Sequence, residues 1–121
     1  MPHILLIDDD EFFRGMVSTV LKEAGHKITE AGDGREGLRC HATGSFDLVI
    51  TDLIMPGKEG IETILELRRR QAEIKIIAIS GGGRESAEGY LEIALNVGAD
   101  HVLAKPFRTE ELLSKIADTT R

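Results

Sequence analysis

Ile4-Leu5-Leu6-Ile7-Asp8-Asp9-Asp10 sets four apolar residues directly against three carboxylates. An apolar run of this length reads as a strand buried on both faces, and the abrupt acidic end marks where that strand leaves the core. The same arrangement returns twice, in Leu48-Val49-Ile50-Thr51 running into Asp52 and in Val102-Leu103-Ala104 running into Lys105-Pro106. Strands of a parallel sheet end on a common edge. Carboxylates and an ammonium scattered along the chain are thereby expected to converge on one pocket suited to a divalent cation and a phosphoryl group.

Outward from that first run, the chain alternates between strand and helix signals. His3 to Ile7 reads as a strand; Phe13, Met16, Val17, Val20, Leu21 and Ala24 then recur at helical spacing until Gly25. Lys27 to Ala31 alternates as a second strand, Gly32-Asp33-Gly34 turns the chain, and a short helix with Gly37, Leu38 and Ala42 reaches Gly44-Ser45. Phe46 to Thr51 reads as a third strand, Pro56-Gly57 as a loop, and Ile61, Ile64, Leu65 and Leu67 as the apolar side of a third helix. The mostly β-branched run Ile74 to Ile79 is the clearest strand. Gly81-Gly82-Gly83 breaks the chain before a fourth helix, from Ala87 to Val97, that Gly98 closes. Val102 to Ala104 makes a fifth strand, and Leu112, Leu113, Ile116 and Ala117 face inward from a last helix. Five strands alternating with five helices, with no repeat or linker, predict an α/β fold: a doubly wound five-stranded parallel sheet with helices on both faces.

Composition agrees and narrows the function classes. With 121 residues, 41% of them apolar, the chain fits one domain with one hydrophobic core, and scarce aromatics leave Ile, Leu, Val and Ala to fill it. The formal charge is −6 and the basic residues are dispersed, so the electrostatic footprint of a nucleic-acid binder is missing. Arg68-Arg69-Arg70 closes a predicted helix, where cations complement the helix dipole; a phosphate-gripping patch is the other reading. A lone cysteine, Cys40, excludes an internal disulfide, and no stretch approaches the length of a signal peptide or membrane span, so a soluble cytoplasmic protein with no membrane partner is expected.

The chemistry sits at the strand ends. Adjacent carboxylates such as Asp8 and Asp9 repel unless a cation neutralises them, and Mg²⁺ commonly takes one or two protein carboxylates together with phosphate oxygens. An acidic helix start is the competing explanation, with Asp10 as cap and Glu11 in the first turn. Asp52 adds a third carboxylate at the same edge, where it can serve as magnesium ligand and as nucleophile toward phosphorus. Lys105 beside these groups can pair with Asp52 and then with a phosphoryl oxygen, and Ser80 offers a hydroxyl donor to another. His101 and Tyr90 read as a strand-start polar residue and a packing residue.

In this order, Ile4-Leu5-Leu6-Ile7-Asp8-Asp9-Asp10, Asp52-Leu53-Ile54-Met55-Pro56-Gly57 with Gly60, Ala78-Ile79-Ser80-Gly81, and Gly98-Ala99-Asp100 leading to Lys105-Pro106-Phe107 resemble the receiver domain of two-component response regulators over essentially the whole chain. The resemblance implies a flavodoxin-like sheet of strand order 2-1-3-4-5. It also implies that a sensor histidine kinase, or a phosphotransfer protein, delivers a phosphoryl group to Asp52. Asp9, Asp52 and the backbone carbonyl of Ile54 would then hold Mg²⁺, Asp8 would assist through water, and Ser80 and Lys105 would bind the phosphoryl group. In the family, phosphorylation moves the hydroxyl residue and an aromatic three positions before the lysine, reshaping the face of the fourth helix, fifth strand and fifth helix. Here that aromatic position is Val102, so ring rotation cannot operate and the loop before Arg84, with the fourth helix, is expected to carry the change.

The expected function is thus a phosphoacceptor signalling domain, residues 1–121, without an output domain in this chain and acting on an unidentified downstream protein. Its only catalysis is of its own phosphorylation and autodephosphorylation. Ile54 is expected to shield the acyl phosphate from water and prolong it, which Ile54→Asn would test by accelerating hydrolysis. Two alternatives stand beside this: a Mg²⁺-dependent phosphohydrolase with Asp8 as nucleophile, and an interaction module that is never phosphorylated.

Overall fold

The computed structural model describes residues 2–53, 59–80 and 92–120. In chain order they form β1 (His3–Ile7), α1 (Glu11–Glu23), β2 (Lys27–Ala31), α2 (Gly34–Thr43), β3 (Leu48–Asp52), α3 (Glu59–Arg70), β4 (Lys75–Ser80), a helical stretch over 92–97 (α4), β5 (His101–Ala104) and α5 (Thr109–Thr120). The sheet runs β2-β1-β3-β4-β5, and every neighbouring pair is parallel. The strand order reverses beside β1, so the first strand lies between the second and third and the crevice at its carboxyl end becomes the ligand position of such a fold.

The period-two alternation of side chains divides the strands between two cores. Leu5, Ile7, Val49, Ile76 and Ala78 face one side and pack with Leu38 of α2, Ile64 and Leu67 of α3 and Ala94 of α4. Ile4, Leu6, Leu48, Ile50, Ile77 and Ile79 face the other, against Val17 and Leu21 of α1 and Leu112 and Ile116 of α5. All five residues of β3 are buried because both faces of the sheet are covered, which is why Leu48, Val49 and Ile50 run apolar on both faces.

The starts of α1 and α2 are set by aspartates. Asp10 caps α1 by accepting from the Phe13 N–H, and Asp33 caps α2 by accepting from the Glu36 N–H, while Glu36 reaches back to the Gly32 N–H at 2.5 Å. Gly25 and Gly98, at φ 98° and 123°, follow α1 and α4 in the left-handed region that glycine adopts without steric penalty.

Strand boundaries differ from the sequence reading by one or two residues. Phe46 is buried but lies before the ladder, its ring 4.4 Å from that of His3, because the pairing of β3 begins at Leu48 with Ile4. Ile74 belongs to the preceding turn, where its N–H donates to the Gln71 carbonyl, and β4 extends to Ser80. The arginine triplet is occupied structurally. Arg68 donates to the carbonyls of Gly98, Ala72 and Ile74 and to Asp100, and Arg69 and Arg70 both engage Glu66. Those two guanidiniums hold the Glu66 carboxyl down at about 2. Among the described residues no helix is long and apolar enough to cross a membrane.

Candidate functional site

Register brings the chemistry together. Ile7 pairs with Thr51, Asp52 with Ile79, and Ser80 with Ala104, so Asp8, Asp52, Ser80 and Lys105 all emerge within a residue of the same sheet edge. The Leu53 N–H donates to the Ile79 carbonyl and the Lys105 N–H to the Ser80 carbonyl, at 2.8 Å each, extending the ladder and fixing the bases of the Asp52 and Lys105 side chains. Gly60 lets α3 start against this edge: a Cβ there would lie 2.5 Å from both the Asp52 carbonyl oxygen and the Leu53 Cα.

The acidic triplet divides its labour. Asp10 spends its carboxylate on capping α1, and its own N–H donates to Asp8 Oδ1 at 2.9 Å, orienting that side chain. The helix-start reading of the triplet thus holds for Asp10. Asp8, Asp9 and Asp52 each offer an oxygen within 4.8 Å of the others, the one such carboxylate group among the described residues. Asp8 is 1% and Asp52 4% exposed, whereas Asp9 opens to solvent.

Lys105 Nζ reaches into the cluster, 3.0 Å from Asp52 Oδ2 and 3.4 Å from Asp8 Oδ2. Its bond to Pro106 is cis. Burial pushes the Asp8 carboxyl up to about 6, helped by the charge of Asp52 and opposed by the Asp10 N–H and Lys105. Burial would pull the Lys105 ammonium down, but its hydrogen bond to Asp52 and the charges of Asp52 and Asp8 outweigh this and raise it above the usual lysine range. Three carboxylates face one ammonium, so negative charge remains in excess at a site whose donors are all hard oxygens. That donor chemistry fits a hard dication.

Ser80 is fully buried at the end of β4, and its Oγ has no hydrogen-bond partner among the described residues. A sealed hydroxyl without an acceptor is rare and invites a reason. The Ile54 carbonyl, the Gly81–Gly83 run and Tyr90 lie outside the described residues. Val102 pairs with Ala78 and packs half-buried against the core on the α2, α3 and α4 side; His101 is the first residue of β5.

Two contributors escaped the sequence reading. Phe13 read as an ordinary apolar position of α1, yet its ring centroid lies 3.9 Å from Lys105 Nζ. Arg14 donates from Nη1 to the Asp8 carbonyl at 2.7 Å and from Nε to Glu30 at 3.0 Å, tying the end of β1 to β2. The available signal was their place in the first turn of a helix that starts directly beyond Asp8.

Comparison with known proteins agrees with this geometry. The family model described as "Response regulator receiver domain" matches residues 4–117. The chemotaxis protein CheY of Halobacterium salinarum is 32% identical over 115 residues, covering 95% of this chain and 93% of that protein. Protein PetR of Rhodobacter capsulatus is 36% identical over 116 residues, 95% of this chain but 47% of its own. The chain spans about half the length, or less, of the first curated relatives it matches. Among solved structures, CheY4 of Vibrio cholerae superposes with a TM-score of 0.85 at 31% identity over 98% of both chains. A CheY-like receiver domain from Methanospirillum hungatei JF-1 gives 0.88 at 27% identity, covering 99% of this chain and 94% of that one. With the family model spanning nearly all of it, the chain belongs to the response regulator receiver domain family of two-component signalling.

Proposed function

We propose that this receiver domain accepts a phosphoryl group on Asp52 from the phosphohistidine of a sensor histidine kinase or phosphotransfer protein, in the cytoplasm and with Mg²⁺ bound by Asp8, Asp9, Asp52 and the Ile54 carbonyl. The observation that carries this reading is the contact of Lys105 Nζ with both Asp52 and Asp8 at the rim where three carboxylate oxygens cluster. An Asp52 oxygen attacks phosphorus, the P–N bond breaks, and the imidazole leaves with its electron pair. Bound magnesium supplies charge screening between the carboxylate and the incoming phosphoryl group.

The residues of the chain do the positioning. Asp52 is held by its pairing with Ile79 of β4 and by the Leu53 N–H bond to the Ile79 carbonyl. Lys105 trades one carboxylate contact for a phosphoryl oxygen, and Ser80 donates its otherwise unpartnered hydroxyl to another. Phosphorylation adds charge of roughly −1.5 to −2 and new acceptors at this edge, which biases the arrangement of the nearby elements. With Val102 in place of a rotating ring, Ser80 is the side chain that couples the site to the α4, β5 and α5 face and so to a downstream protein. The activity is signalling, with no external metabolite turned over.

Mass spectrometry after incubation with acetyl phosphate and Mg²⁺ tests the reading. A phosphoryl group on Asp52, lost in Asp52→Asn and on chelation, supports it. Label on Asp8 would point instead to hydrolase chemistry, and no label on any residue to an interaction module.

A further inference from the structure

We propose that Phe13 is a positioning residue for Lys105: its ring face backs the ammonium and holds it over Asp52 without using any of its N–H donors. The inference rests on Asp52 being the phosphoacceptor. The Lys105 Nζ lies 3.9 Å from the Phe13 centroid while it contacts Asp52 Oδ2 at 3.0 Å and Asp8 Oδ2 at 3.4 Å. Phe13 is itself braced, meeting the ring of Phe107 edge-on at 5.8 Å and 82°, and Phe107 stands two residues beyond the lysine. The Phe13 N–H donates to the capping carboxylate of Asp10, so the ring's backbone is pinned to the acidic triplet. Ring, lysine and acceptor carboxylate therefore form one stack.

The division of directions matters for phosphotransfer. An ammonium has three N–H donors and no orientation of its own on a flexible four-carbon stem. A third carboxylate behind it would hold it but compete with the incoming phosphoryl oxygen for a donor. An aromatic face attracts the cation through its quadrupole and leaves the donors to oxygen. An aliphatic side chain of similar volume would fill the space and supply no such attraction.

Three chains separate the quadrupole from packing: Phe13→Leu, Phe13→Tyr, and the protein carrying 3,4,5-trifluorophenylalanine at position 13, which keeps the ring shape and weakens the face potential. Acetyl phosphate with saturating Mg²⁺ serves as donor, and nuclear magnetic resonance of the Lys105 side chain in the unmodified protein gives a second readout independent of phosphorylation. The ring face should shift the Lys105 Hε resonances upfield in wild type and Phe13→Tyr, with that shift gone in Phe13→Leu. The rate of Asp52 phosphorylation should fall about 3- to 10-fold in Phe13→Leu and by a smaller factor in the trifluoro protein, while Phe13→Tyr stays near wild type. Wild-type rates in both Phe13→Leu and the trifluoro protein, or a Phe13→Tyr as slow as Phe13→Leu, would overturn the proposal. Should Phe13→Leu not fold, the tyrosine and trifluoro chains decide alone. If wild type takes no phosphoryl group on Asp52, the phosphoacceptor reading has failed, whereas a normal wild-type rate that no Phe13 variant alters condemns the positioning role alone.

Discussion

Gly60 lies so close to Asp52 that a Cβ built on it would meet the Asp52 carbonyl oxygen at 2.5 Å. The obstructing atoms are backbone, on Asp52 and Leu53, and cannot rotate away as a side-chain tip would. Gly60→Ala is expected to push α3 off the end of β3, costing about 1–3 kcal/mol of stability as overpacked sites do. A lowered urea midpoint checks the stability. Weaker Mg²⁺ binding by titration calorimetry checks that Asp52 moves with it.

Removing the ammonium should separate metal binding from phosphotransfer. In Lys105→Met the carboxylates of Asp8, Asp9 and Asp52 keep their places and lose the ammonium in contact with Asp52 and Asp8, so Mg²⁺ affinity is expected to rise several-fold. Metal-free stability should fall by about 1–3 kcal/mol, since the buried Asp52 and Asp8 carboxylates each lose a charged hydrogen-bond donor. Phosphorylation of Asp52 should slow at least about tenfold, a loss of some 1.4 kcal/mol in the transition state. Calorimetry and acetyl phosphate kinetics on one preparation read both effects.

The raised pKa of Asp8 fixes the sign of an acid response. Its folded value of about 6 lies above the 3.8 of an ordinary aspartate, so between those values the native state binds the extra proton. Metal-free protein should therefore gain stability as pH falls from above 6 toward 4, with a slope of at most about 1.4 kcal/mol per pH unit for one proton. Protons should displace Mg²⁺ over the same window. Glu66 acts in the opposite sense and lower down: its carboxyl is depressed from 4.5 to about 2, so its contribution is present above 4.5 and lost as pH falls through 2. Urea midpoints across pH, with Asp8→Asn removing the upper slope and leaving the lower one, check both assignments.

Ser80→Ala should leave unmodified protein at least as stable as wild type, by about 0–1 kcal/mol, since a buried hydroxyl that finds no acceptor among the described residues contributes no hydrogen bond there and costs desolvation. The same change should slow phosphorylation of Asp52. A thermal midpoint that drops by several degrees would mean that the hydroxyl is already satisfied in the resting protein.

Arg68→Lys tests a purely structural cation. The guanidinium fork reaches the Gly98, Ala72 and Ile74 carbonyls and Asp100 together, which a single ammonium cannot do. A loss of about 2–3 kcal/mol is expected, at least as large in Arg68→Ala, which keeps none of these contacts, with Asp52 chemistry little changed. Denaturant titration of the two variants checks it.

The sheet was legible because both of its faces are covered. Ile4 to Ile7 and Leu48 to Ile50 are apolar without interruption, and the carboxylates of Asp8 and Asp52 that follow them are themselves still buried. Boundaries were less legible because Phe46 and Ile74 are buried like strand residues while lying outside the ladder, which apolarity alone cannot distinguish. Asp8, Asp9, Asp52 and Lys105 could be placed together from topology, since each follows a parallel strand. Phe13 could not, because its apolar helical spacing satisfies the core pattern whatever lies above its ring. Nor does the text show that Asp10 is committed to the helix while its neighbours are not; that division depends on which side chain turns back toward the Phe13 N–H.

The grip of Arg68 on Gly98 also limits how α4 can respond. The described stretch 92–97 is followed by Gly98, whose carbonyl receives two donors from that guanidinium, at 2.8 and 2.6 Å, and whose own N–H closes the last helical turn. A rod tethered at its carboxyl end pivots more easily than it slides. Rotation about that fulcrum displaces each residue in proportion to its distance along an axis that rises 1.5 Å per residue. On the phosphoacceptor proposal, a signal generated beside Ser80 would then emerge as a swing within the described stretch, smallest at Gly98 and growing toward residue 92.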